Sequence, residues 1–61
     1  MIKLEYKQVN DKQIALYTRN DKTQLISIIN IEPNKELILI VIEYLLKVKR
    51  NFEVVDNQIF I

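Results

Sequence analysis

Ten of the twelve residues from Leu37 to Val48 are apolar or aromatic, and this run limits the architecture more than any other feature of the chain. It is too short to cross a membrane, which takes about 20 apolar residues in a helix, and Glu43 interrupts it near the middle. Ile38, Ile40, Val41 and Ile42 are β-branched, so residues 37–42 alone would suit a buried strand. Length decides for a helix. Strand alternation fails through Glu43-Tyr44-Leu45-Leu46-Lys47, where helical spacing still holds. A helix is expected over 35–50, with Asn34 as its N-cap and Glu36 in a first turn that favours an anion. Glu43 and Lys47 stand in the order that favours an i,i+4 ion pair.

Projected at 100° per residue, Glu36, Glu43, Lys47 and Arg50 form one narrow polar stripe, and Lys49 is the other polar position. Leu37, Val41, Tyr44 and Val48 make one apolar flank, while Leu39, Ile42 and Leu46 make the other; Ile38 and Leu45 lie between. A helix lying on one small sheet hides about half its circumference. Burying three such side chains is worth on the order of 5–9 kcal/mol gross, comparable with the whole stability of a domain this size. Either a second copy covers Leu39, Ile42 and Leu46, giving a homodimer, or the C-terminal segment folds over them. A larger protein target is a further candidate partner for this surface.

Upstream, Ile2-Leu4-Tyr6 alternate with Lys3-Glu5-Lys7, and Ile14-Leu16-Thr18 with Ala15-Tyr17-Arg19, the period of half-buried strands. QLISIINI, residues 24–31, reads as a third and more apolar strand. Asn10-Asp11 and Asn20-Asp21 separate these runs, which suggests two hairpins with similar turns. Register is arguable from the faces. A three-residue loop, Asn10 to Lys12, pairs Tyr6 with Leu16 and Gln8 with Ile14, whereas a two-residue loop sets Glu5 against Leu16. The tail NFEVVDNQIFI reads as a hairpin about Asp56-Asn57, pairing Val54 with Ile59 and Phe52 with Ile61, or as one irregular strand.

The fold expected is therefore α+β, one small domain over residues 1–61. It consists of a three-stranded antiparallel meander, one long helix packed across it, and a C-terminal strand or short hairpin, in the order β-β-β-α-β(-β).

Composition bears on function mainly by exclusion. The chain has no Gly, so phosphate-cradling loops that need close backbone approach are ruled out. Left-handed turn positions must fall to Asn or Asp. With no His or Cys and a single Ser, Ser27, there is no nucleophile-and-base set and no zinc site, and the acids are scattered singly. No enzyme, cofactor or metal is expected. The N-terminus has no apolar signal-like segment, so a cytoplasmic location is the default. Heavy use of Ile, Lys and Asn suggests an AT-rich genome, and small accessory proteins of phages or mobile elements are often of this kind.

Two functional readings come from different classes. The leading one is a non-enzymatic interaction or regulatory module that self-associates through Leu39, Ile42 and Leu46. The alternative is a small nucleic-acid-binding regulator, with Lys47, Lys49 and Arg50 on phosphates and the C-terminal hairpin as a wing. A net charge of +1 gives no general pull toward nucleic acid. The helix also offers Leu and Ile where a groove-reading helix needs polar groups, and cations in a last turn are what the helix dipole favours.

Overall fold

A computed structural model describes all 61 residues. Its strands are β1 (Lys3–Asn10), β2 (Gln13–Arg19), β3 (Thr23–Asn30), β4 (Glu53–Val55) and β5 (Gln58–Phe60), with one helix, α1 (Leu37–Lys47), between β3 and β4. The strands form one antiparallel sheet in the order β3-β2-β1-β5-β4. The expected α+β meander with a helix and a C-terminal hairpin is what the chain adopts.

Alternation sorts the side chains. Leu4, Ile14, Leu16 and Ile59 project from one face of the sheet and meet Ile40, Val41 and Leu45 of α1 in a single buried cluster. Tyr6 packs against that cluster. Tyr17, opposite Glu5 and Leu25, lies on the helix-free face, with the Arg19 guanidinium 5.6 Å from its ring centre. The two tyrosines therefore lie on opposite faces of the sheet.

The first hairpin holds the register argued from the faces, Tyr6 with Leu16 and Gln8 with Ile14, but turns differently. Asn10 pairs with Gln13 across a two-residue turn, and the pairing shifts between Gln8 and Asn10. Asn10 organises this corner. Its Oδ1 accepts from the Lys12 N–H at 2.8 Å, and its Nδ2 donates to Gln13 Oε1 at 3.1 Å. A bulge thus supplies the extra residue that a three-residue loop was expected to supply. At the second corner the loop does run three residues, 20–22, and the shift falls farther along, where Leu16 faces Ser27 but Tyr17 faces Leu25. The extra residue there is Ile26. Similar turn sequences have given two different corners.

Helix α1 is shorter than residues 35–50. Pro33 and Asn34 form a turn, Asn34 being left-handed at φ 65°, so Asn34 does not cap the helix. Glu36 takes the N-cap position without a side-chain hydrogen bond, and the first turn carries no acid. A Pro-Asn pair is a good turn former because Pro presets φ and Asn tolerates positive φ. That local preference outcompetes capping. Lys47 is likewise not the ion partner of Glu43. Lys35 Nζ reaches Glu43 at 2.8 Å and Glu32 at 2.8 Å, tying the loop after β3 to the helix.

The tail turns at Asp56-Asn57 as expected, with both residues at positive φ and Val54 opposite Ile59. Phe52 does not pair with Ile61. The ladder starts at Glu53, and Ile61 exchanges both backbone hydrogen bonds with Ile2, at 2.9 and 2.8 Å. Pairing with the N-terminal residues draws the chain end toward β1 and away from β4.

Candidate interaction surface

The C-terminal hairpin extends the sheet beside β1, packing Ile59 against the inner side of α1 and leaving the outer side uncovered. The sheet-facing side of the helix is well covered: Val41 is fully buried, with Ile40 and Leu45 nearly so. The opposite side is bare. Leu39 is 47% exposed and Leu46 62%. Ile42, grouped with them on the sequence projection, is half-buried and packs against the core cluster. The free surface is therefore centred on Leu39 and Leu46, with Ile42 on its shoulder and Glu43 beside it.

Lys47, Lys49 and Arg50 are all exposed, and none takes part in an ion pair. Their arrangement follows from how the helix ends. Lys49 is left-handed at φ 58°; its N–H donates to the Leu46 carbonyl at 3.1 Å, and the Arg50 N–H to the Leu45 carbonyl at 2.9 Å. This reciprocal pair is a Schellman cap, with lysine in the place that glycine usually takes. The hairpin that would serve as a wing, β4 and β5, forms one side of the sheet and begins three residues after Arg50.

On the other side of the helix an open groove of about 470 Å³ runs between α1 and β3. Ile29, Ile40 and Tyr44 form its apolar lining, and Glu32, Glu43 and Lys47 its rim. Hydrogen bonding to Glu32, then to Glu43, raises the Lys35 amine above its ordinary 10.5. That holds the cation against both carboxylates and ties the loop after β3 to the helix. No three acidic groups gather as metal ligands, and no helix is long and apolar enough to cross a membrane.

A further exposed apolar region was not singled out from the sequence. Leu25 is 63% exposed and Ile28 45%, both on β3 at the rim of the sheet. The signal available in the sequence was the absence of any charge from Thr23 to Ile31. That β3 is an edge strand follows only from the topology. Comparison with protein-family models, curated proteins and solved structures finds no match to this chain.

Proposed function

We propose that this chain is a non-enzymatic interaction module that self-associates through the outer face of α1, with Leu39 and Leu46 at the contact and Ile42 at its margin. The observation behind this reading is the exposure of the two leucines on the side of the helix that the C-terminal hairpin leaves uncovered. A fully buried leucine gains about 1.5–3 kcal/mol, so completing a half-made burial gains about 1 kcal/mol. A twofold contact between two helices completes four. The total of about 4 kcal/mol matches the lower end of what association costs, so the contact is weak and its population depends on concentration.

Sedimentation over a concentration series tests it. Leu39→Lys with Leu46→Lys should halve the associated mass and leave the fold intact, because both positions are already open to water. Val41→Lys or Leu45→Lys should instead unfold the chain, since each buries an unpaired charge. An associated mass unchanged by the outer pair refutes the reading. The nucleic-acid alternative keeps the three free cations in its favour; salt-sensitive nanomolar binding that weakens on changing Lys47, Lys49 and Arg50 to Gln would replace the first reading with it.

A further inference from the structure

Three strands of this sheet have backbone edges open to water, and they are not alike. β4 is three residues long and carries Glu53. β1 pairs with β5 only at Lys3 and Leu4, so its edge is open farther along, where Glu5 and Lys7 stand. Short length and charge are how sheets discourage pairing with other chains. β3 has neither. It runs eight residues, Thr23–Asn30, with no charge and no proline.

The bulge at Ile26 gives this edge an unusual symmetry. Ile31 donates to the Lys12 carbonyl, which fixes which β3 groups face β2. Alternation on either side of the bulge then turns the backbone groups of Thr23, Leu25, Ile28 and Asn30 outward. Leu25 opposes Tyr17 and Ile28 opposes Ala15, so both side chains also lie on the helix-free face although they are three residues apart. An antiparallel copy placed about a twofold axis between Ile26 and Ser27 sets Leu25 against Ile28 and Thr23 against Asn30, twice each. Outward groups meet outward groups, and apolar side chains meet apolar side chains on one face. No charged residue of either strand faces its like. Beyond the strand ends the same register sets Lys22, which has no ion partner, opposite Ile31 of the second copy, and Asp21 opposite a Glu32 that Lys35 already neutralises.

We propose that β3 is a self-pairing edge, joining two copies of this chain into one continuous ten-stranded sheet through about eight main-chain hydrogen bonds. The occupant is a second copy because the edge is its own complement. This contact is separate from the helix contact, uses none of its residues, and stands or falls independently of it.

The test uses two charge variants of the full chain, Leu25→Lys with Ile28→Lys, and Leu25→Glu with Ile28→Glu. In each variant alone, like charges fall directly opposite across the twofold, and the associated mass should drop by a factor of two with the circular dichroism unchanged. An equimolar mixture should restore it, because each Lys then faces a Glu. Hydrogen exchange gives a second readout: the Leu25 and Ile28 amides should be protected at high wild-type concentration and exchange fast on dilution. Unchanged mass in both variants overturns the proposal. So does failure of the mixture to recover, which would indicate a nonspecific apolar surface, and so do open-ended thioflavin-binding aggregates without a discrete species. Leu39→Lys with Leu46→Lys serves as the control for the helix contact; its effect and that of the β3 pair should be additive.

Discussion

Lys49 is the residue whose replacement is expected to stabilise the chain most simply. It ends α1 at φ 58° as the left-handed member of a Schellman cap, whose second hydrogen bond runs to the carbonyl of the buried Leu45. A residue with a Cβ costs roughly 1–2 kcal/mol in that conformation. Glycine removes the clash but adds unfolded-state freedom that takes back about 0.5–1 kcal/mol. Taking the middle of both ranges, Lys49→Gly should gain about 0.5–1 kcal/mol. For a domain of this size, 1 kcal/mol moves Tm by about 4–8 °C, so the expected rise is about 2–8 °C. Thermal unfolding followed by circular dichroism measures it, with protein concentration fixed because association also raises Tm. Lys49→Ala is the control for loss of the cation, and it should not stabilise. A glycine variant no more stable than the alanine variant refutes the reasoning, since the left-handed cap would then not be what ends the helix.

Three further outcomes follow from the packing and the turns. Leu16→Ala empties a fully buried site and should cost about 2–5 kcal/mol; against a total of about 3–9 kcal/mol for a chain of this length, urea unfolding should show a large loss of midpoint or no folded baseline. Asn57→Val should lose about 1–2 kcal/mol in the same assay, because Asn57 sits at φ 62° and a β-branched residue resists that region, whereas Asn57→Gly should lose nothing. Lys35→Met should be less stable than wild type at neutral pH. The Lys35 amine is raised in the folded state by Glu32, then Glu43, so its contribution is fully present below 10.5 and lost as pH climbs through the raised value; the gap in urea midpoint should hold to about pH 10 and close above it.

The elements were legible because periodicity speaks directly about faces. Tyr6 against Leu16 and Gln8 against Ile14 specified the β1–β2 register, since a one-residue slip would have set Glu5 against Leu16. Val41 and Leu45 lie against the sheet as the projection required. Corners were less legible. Asn10-Asp11 and Asn20-Asp21 look alike, but what each corner does depends on where the neighbouring ladder takes up its extra residue, and no local signal distinguishes Val9 from Ile26. Local competition misled at Asn34, where capping and turn chemistry favour the same residue and Pro33 tips the outcome. The position of Lys49 was invisible for a different reason: lysine has no preference for positive φ, and only the path from Leu45 toward Phe52 demands it. Site legibility follows the same division. Leu39 and Leu46 are exposed because of helix periodicity. Leu25 and Ile28 are exposed because β3 ends up at the rim, which is a property of strand order.

Together the two proposed contacts constrain the assembly. The β3 twofold keeps helix-bearing faces on one side of a shared sheet, so its axis runs along the sheet normal. The α1 twofold brings two helical layers face to face, so its axis lies parallel to the sheet. Perpendicular axes that intersect close a four-copy assembly, while axes that miss each other generate an open array. Helix α1 contributes Ile40, Val41 and Leu45 to a core shared with Leu4 of β1, Ile14 and Leu16 of β2 and Ile59 of β5, with Ile26 and Ile29 of β3 packed at its margin. In the strand-paired dimer each helix presents Leu39 and Leu46 outward on the same side, ready to meet an identical pair. Intersecting axes would stack a layer of two helices on a layer of two, between two ten-stranded sheets. If both contacts form, sedimentation should find a limiting species of four times the 7.3 kDa chain, and either set of substitutions alone should reduce it to a dimer. A mass that keeps growing with concentration would mean the axes do not meet, and with both sets combined the chain should remain a folded monomer.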